Sequence, residues 1–329
     1  MRSRQTQATA VITERPPVKI QTELDALRVQ LNKEIPAKRL EQNLLIATWN
    51  IRAFGDVTRK WASEADDSPK RDLHAVSCIA EILSHFDVVA LQEVKGNIRA
   101  LRDVLRLLGN HWGLILTDVN RGAAGNDERM AFLFDTRRVQ LSGLACELVV
   151  PQEQLDSISQ DALQRQFART PYAVGFRSAG TTFVLVTLHI LFGSGIEERI
   201  PELKAIARWM SDWAKDISDY EQNLLALGDF NIDARGDALA QTFLSEGLHI
   251  PPALESVTRS IFDETKYYDH IAWFDGSNGQ PKLSMEFVRG GNFDFVGKVL
   301  KARNLSRLQL SFMLSDHYPL WAEFALPAT

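Results

Sequence analysis

Cysteine is nearly absent. The chain has two in 329 residues, Cys78 and Cys146, far apart and each among apolar neighbours. No disulfide framework can be built from them, and both read as small buried hydrophobes. Long apolar runs are missing too. No window approaches the 18 apolar residues that a membrane span requires, so no spanning helix is expected. The start, Met1-Arg2-Ser3-Arg4-Gln5-Thr6-Gln7, has no apolar core behind it, so no secretory signal is expected and the expected compartment is the cytoplasm. A basic excess is also lacking. The 37 Lys and Arg stand against 42 Asp and Glu, a net charge of −5. That balance disfavours tight passive binding to duplex DNA, which rewards a basic face. It leaves a nuclease open, because metal-binding carboxylates add negative charge that an ion offsets.

The hydrophobic fraction of 45% is enough for a sizeable core and argues against large-scale disorder. Charge is uneven. Residues 1–43 hold 8 basic and 5 acidic side chains, about +3, so the rest is acidic at about −8. Residues 1–18 are polar, with Pro16-Pro17, and read as an arm. Ile20, Leu24, Leu27 and Leu31 then recur at helical spacing, predicting an amphipathic helix over 20–34 that ends near Pro36. No protein partner is evident for it. The predicted organisation is an N-terminal arm and helix over 1–43 and a catalytic domain over 44–329.

From residue 44 short β runs alternate with helical stretches. Strands are predicted at 44–49, 87–92, 112–117, 130–134, 145–150, 173–178, 182–188, 223–228, 269–274 and 318–325. Helices are predicted at 70–84, 97–109, 161–166, 197–216 and 237–244. In the stretch 197–216, Ile200, Leu203, Ile206, Ala207, Met210 and Trp213 share one face. About ten strands with interspersed helices predict an α/β fold with two packed sheets. Loops are expected at 55–69, 120–127 and 276–282.

Polar clusters sit at the ends of the apolar runs: Thr48-Trp49-Asn50, Gln92-Glu93, Leu188-His189, Gly228-Asp229-Phe230-Asn231, Asp269-His270 and Ser315-Asp316-His317. Taken singly, each has an ordinary explanation. Asn50 can cap a turn, Gly228-Asp229 can form one, and a lone His is usually structural. Together they make one pocket of carboxylates, amides and imidazoles, which suits a hard cation and phosphoester hydrolysis. Mg²⁺, with Mn²⁺ as a possible substitute, prefers few protein carboxylates plus substrate phosphate, and Glu93 leads as ligand with Asn50 and Asp316 beside it. Two histidines oriented by Asp269 and Glu128 can supply a base and an acid at neutral pH.

In this order and spacing the segments Ile46–Gly55, Leu91-Gln92-Glu93-Val94, Glu128–Phe134, Leu188-His189, Gly228–Asn231, Tyr268–Ile271 and Ser315–Leu320 resemble the endonuclease/exonuclease/phosphatase family, in its deoxyribonuclease I-like branch. The resemblance spans about residues 44–326. It implies a four-layer α-β-β-α sandwich of two packed mixed sheets with the site at one edge. It further implies Glu93 as principal metal ligand, with Asn50 and Asp316. His317, partnered by Asp269, would activate water, and His189, partnered by Glu128, would protonate the leaving group. Asp229 and Asn231 would hold the nucleophile, the scissile phosphate or a second metal.

Departures narrow the reading. His189 stands where apurinic endonucleases of the family carry tyrosine. Lys266-Tyr267-Tyr268-Asp269-His270 lacks the tryptophan-cysteine-aspartate-arginine signature of inositol-polyphosphate phosphatases. Lys95 replaces an arginine fork with a point charge, and His270 reads as structural. Arg52, Lys95, Arg121 and Arg129 are candidates for substrate phosphates. The expected function is metal-dependent DNA endonucleolysis with low sequence specificity by a two-histidine acid/base mechanism. The alternatives are hydrolysis of a small or lipid-linked phosphoester, and a non-catalytic binding module that keeps the fold.

Overall fold

The computed structural model describes residues 11–120, 125–148, 167, 169–193, 195–216 and 223–327. Its centre is two six-stranded sheets packed face to face. The first contains β1 (Asn43–Phe54), β2 (Val88–Lys95), β3 (Trp112–Leu116), β4 (Glu128–Asp135), β11 (Glu286–Asn292) and β12 (Leu320–Ala325), in the order β11-β12-β1-β2-β4-β3. The second contains β5 (Gln140–Glu147), β6 (Tyr172–Ser178), β7 (Thr181–His189), β8 (Leu224–Asp229), β9 (Leu248–His249) and β10 (Asp269–Phe274), in the order β5-β6-β7-β8-β10-β9. Each sheet is mixed. One parallel pair, β1/β2 or β7/β8, sits at its centre, and every other pairing is antiparallel.

The strand sequences explain this layering. Along β1, Leu44 and Ile46 point into the core between the sheets, while Leu45, Ala47, Trp49 and Ile51 join a second core under the helices. A strand buried on both faces has no polar alternation, so Leu44-Leu45-Ile46-Ala47 is a continuous apolar run. Each such side chain, fully buried, contributes about 1.5–3 kcal/mol.

Helices cover the outer faces and complete four layers. On the first sheet lie α1 (Val18–Glu34), α2 (Leu73–Leu83), α3 (Arg99–Leu108) and the short α7 (Arg307–Met313); on the second lie α4 (Ile196–Asp216) and α5 (Ala238–Leu244), with a single turn α6 (Pro252–Glu255) packed by β11. The helices α2 and α4 are the crossovers that parallel pairing demands. Asp72 and Asp237 cap α2 and α5 by accepting the Ala75 and Ala240 amides. The face of α1 predicted from Leu24, Leu27 and Leu31 is buried against the chain's own body beside α2.

The structure adds elements that the periodicity did not predict: β9, β11, α6, α7 and a 3₁₀ turn at Lys301–Arg303. The predicted helix 161–166 and much of the predicted loop 120–127 lie outside the described residues. Cys78 is buried as expected, whereas Cys146 is half-buried on the edge strand β5. Among the described residues no helix is long and apolar enough to cross a membrane.

Candidate active site

Strand direction assembles the site. The parallel pairs β1/β2 and β7/β8 carry their polar residues at their C-terminal ends, as Asn50, Glu93, His189 and Asp229. The antiparallel strands β4 and β10 carry theirs at their N-terminal ends, as Glu128 and Asp269. Opposite ends of oppositely running strands fall on one rim. Register sharpens this: His189 pairs with Asp229 and Asp229 with Asp269, so the three form a row across the second sheet. His317 enters just before β12 and bridges to Ser260. The Asn50 amide donates to Asp229 Oδ2 at 2.9 Å and links the two sheets.

Asp229 is the hub. Its Oδ2 lies 3.8 Å from His189 Nε2 and 3.9 Å from His317 Nε2, and its Oδ1 accepts the Asn231 backbone N–H at 2.9 Å. The Asn231 side chain donates to the Ile190 carbonyl. Gly228 makes the close approach possible. Its φ is +143°, and a Cβ there would lie 2.0 Å from the Leu188 carbonyl oxygen. Ala53, Glu93 and Asn231 also have positive φ, so three non-glycine residues at this rim hold strained backbone.

The two histidines have contrasting surroundings. His317 Nδ1 is 2.7 Å from Asp269 Oδ2. Burial works against its charge, but Asp269 and Asp229 outweigh burial and hold it well above the usual imidazole range. His189 is pushed well below that range by burial, then by Arg169, His317 and Lys95. Burial, reinforced by Asp269 and opposed by His317, raises Asp229. These surroundings favour the charged form of His317 and the neutral form of His189. A cation bound at Asp229 and Asp269 would oppose that protonation.

Glu128 is buried beside His189, with Oε2 3.5 Å from Nδ1, but this contact lacks hydrogen-bond geometry. The carboxylate is instead gripped by Lys95 at 2.7 Å and Arg169 at 2.8 Å. Lys95, expected to meet substrate, is thus committed to Glu128 and to the Asn126 carbonyl. Arg52 donates to Ser311 Oγ, stacks 4.1 Å from the Phe312 ring and lies 3.9 Å from Asp316. Arg129 is half-buried with no partner for Nε, and Arg121 lies outside the described residues.

The expected metal ligands come from adjoining segments of the first sheet's rim. Asn50 stands opposite Gln92 in the β1/β2 register, next to Glu93, whose Oε2 accepts the Ala53 N–H at 2.7 Å. Among the described residues, the group of acidic and imidazole side chains with ligand atoms within 4.8 Å of one another is Asp229, Asp269 and His317, which does not include Glu93 or Asp316. Asn50 Oδ1, Asp269 Oδ1 and Asp316 Oδ1 are all buried without a hydrogen-bond partner. Unsatisfied buried acceptors cost free energy, about 1–3 kcal/mol each. Three of them at one rim, all oxygen, fit a hard divalent cation.

Sequence reasoning missed the supporting arginines. Arg71 is buried and donates to the carbonyls of Arg52, Ala53, Met313 and Leu314, which ties the end of β1 to the Ser315–His317 segment. Burial brings it down to about 10. Arg259 donates to the Asp269 carbonyl and, behind it, to Leu254 and Val257. Neither has a local signal, since its partners are distant carbonyls. Arg169 had a weak one: it is the nearer of two arginines, with Arg165, just before strand β6. Tyr268 carries no signal of its own in the sequence, yet its ring lies 5.4 Å from that of His317. His270 is structural, packed among Phe230, Phe243 and Tyr267 and bonded to the Tyr267 carbonyl.

Comparison with known proteins agrees with this architecture. Residues 47–317 match the family described as Endonuclease/Exonuclease/phosphatase family. A protein named Deoxyribonuclease from Thioalkalivibrio sp. (strain K90mix) is 30% identical over 217 residues, covering 62% of this chain; the chain spans about half, 52%, of that relative. Among solved structures, an endonuclease/exonuclease/phosphatase family protein from Bacteroides thetaiotaomicron aligns with TM-score 0.57 at 16% identity, over 87% of this chain and 95% of that one. A mannosyl-6-phosphatase from Bacteroides thetaiotaomicron VPI-5482 aligns with TM-score 0.56 at 16% identity, over 85% and 99%. At that identity the structures share the fold alone. The matched span covers most of the chain, and the chain belongs to the endonuclease/exonuclease/phosphatase family.

Proposed function

We propose that this protein is a divalent-cation-dependent phosphodiesterase that cuts DNA internally with little sequence preference. The observation that carries the reading is the pair of imidazoles on one carboxylate, His189 and His317 at 3.8 and 3.9 Å from Asp229 Oδ2. Their opposed electrostatics separate one residue type into a proton donor and a proton acceptor. Phosphodiester cleavage needs both, one for water and one for the leaving oxygen. The relative named Deoxyribonuclease supports DNA as substrate.

In this reading Glu93, Asn50 and Asp316 hold Mg²⁺, or Mn²⁺ in its place, with Asp229 and Asp269 within reach of a second cation. The ion supplies positive charge to a phosphate oxygen. Asp269 orients His317, and Glu128 holds the ground beside His189. Asp229 and Asn231 position water or phosphate. Arg52 and Arg129 are the cations left for substrate phosphates, because Lys95 and Arg169 are both paired with Glu128. Residues 44–329 form the catalytic unit in this proposal, with 1–43 as its arm and docked helix.

The test sets purified protein with Mg²⁺ against DNA, sugar phosphates, nucleotides and phosphoinositides. Turnover of DNA above all others is expected. Turnover confined to a phosphomonoester would overturn the reading.

A further inference from the structure

Beyond the rim, one face of the first sheet's helical layer is strongly basic in an otherwise acidic protein. On α3 the side chains of Arg99, Arg102 and Arg106 are exposed at spacings of three and four, hence on one face. With Arg59, Asn97, Ile98 and Asp103 they line a pocket of about 230 Å³. Four guanidinium groups there face one carboxylate in the lining, the buried Asp103, held by Arg59 at 2.7 Å and Arg106 at 3.0 Å. Arg99 reaches Asp56 at 2.9 Å. Arg102 has no ion pair among the described residues.

The pocket is joined to the candidate site. The Ala100 N–H donates to the Gly55 carbonyl at 2.9 Å. A Cβ on Gly55 would lie 3.1 Å from Lys95 Cβ and 3.4 Å from the Asn97 carbonyl oxygen. Two residues before Gly55, the Ala53 N–H holds Glu93. The basic face therefore begins where the metal-binding corner ends. From Arg99 to Arg106 the helix rises about 10 Å at 1.5 Å per residue. One nucleic-acid strand presents a phosphate about every 3.4 Å of axis, so this length matches roughly three nucleotides.

We infer that the Arg59–Arg99–Arg102–Arg106 pocket is a secondary phosphate-binding track for the DNA strand that continues past the scissile bond. This rests on the DNA-cleaving reading of the adjoining site. The track gives an acidic enzyme a local cationic grip on a polyanion, and it takes part in none of the chemistry.

The test is the double variant Arg99→Gln/Arg102→Gln, which spares the two arginines that hold Asp103. Binding of a labelled single-stranded oligonucleotide is followed against salt on a His317→Ala background. Hydrolysis of DNA and of bis(p-nitrophenyl) phosphate, too small to span site and track, is followed with His317 intact. Each lost contact should lower the slope of log Kd against log salt by about 0.7, or about 1.4 for both. Between about 50 and 200 mM salt the variant then loses roughly sevenfold less affinity than the wild type. KM for DNA should rise while turnover of the small diester stays unchanged, and Arg99→Lys/Arg102→Lys should restore the slope. An unchanged slope with DNA cleavage intact overturns the track and leaves the nuclease reading standing. Wild-type protein that neither binds nor cuts DNA overturns both. Loss of binding to phosphatidylserine vesicles, with DNA binding untouched, would also overturn the track and assign the face to a membrane.

Discussion

Replacing Asp269 with Asn probes the site at its electrostatic centre. The two side chains are nearly isosteric, so the row His189–Asp229–Asp269 across the second sheet keeps its packing. The carboxylate charge 2.7 Å from His317 Nδ1 is lost. Two opposite charges about 4 Å apart, centre to centre, attract by about 4 kcal/mol at an effective dielectric constant near 20. That is the chief force holding the proton on His317 against its burial. Without it only Asp229 and Asp316 oppose burial, so the charged form of His317 is disfavoured and its ring loses an orienting partner. A loss of about 10²- to 10⁴-fold in kcat follows, equal to about 3–5.5 kcal/mol of barrier. Stability has a definite sign as well. A histidine raised in the folded state contributes stability that is fully present below its unfolded value of about 6.5 and is lost as pH rises through the folded value. The stability gap between wild type and Asp269→Asn should therefore be widest at and below pH about 6.5 and narrow on alkalinisation. Plasmid nicking gives the rate, and NMR of the imidazole carbons gives the protonation state. Wild-type kcat in the variant, or an imidazole that titrates as before, would refute the reasoning.

Other perturbations read other parts of the site. Gly228→Ala should cost about 2–4 kcal/mol in urea unfolding, because its Cβ meets the Leu188 carbonyl in a positive-φ conformation. Arg169→Gln should lower kcat/KM for DNA by about 10- to 100-fold, since it removes one of the two cations that hold Glu128 beside His189. His74, on α2, is lowered to about 4 by burial and then by Arg303. Its neutral form is the stabilising one, so stability is present above about pH 6.5 and falls by roughly 3 kcal/mol as pH drops toward 4; a His74→Gln variant should unfold with a shallower acid limb. Glu93→Gln should raise the Mg²⁺ concentration needed for half-maximal activity by about tenfold or more, measured by metal titration.

Much of the fold was legible because the strands at the sheet centres are buried on both faces. Leu44–Ala47, Val88–Leu91 and Phe183–Val186 have no other way to be so apolar, and their ends were read to within five residues. The missed pieces lack that constraint. The edge strand β11, Glu286-Phe287-Val288-Arg289-Gly290-Gly291-Asn292, has no fully buried residue and carries two glycines, so it shows no alternation. The helix α7 is only seven residues long, yet Ser306 and Gln309 form a capping box that the sequence does display. The site was legible at the level of which residues meet, because polar groups at the ends of apolar runs are costly unless they converge on something. Finer pairings were legible in part: Asp269 meets His317 as expected, at 2.7 Å. Glu128 looks like the histidine's partner in sequence, but two cations hold it instead, and one of them, Arg169, lies 41 residues away along the chain. Competition among charges for one carboxylate is a property of the packed structure and leaves no pattern in the chain.

The central claim is tested most directly by incubating supercoiled plasmid with the purified protein and Mg²⁺, beside His317→Ala and an EDTA control. The account predicts nicked and then linear DNA with wild-type protein, and intact plasmid in both controls. Intact plasmid with folded, metal-loaded wild-type protein, or cleavage that persists in His317→Ala, would contradict it.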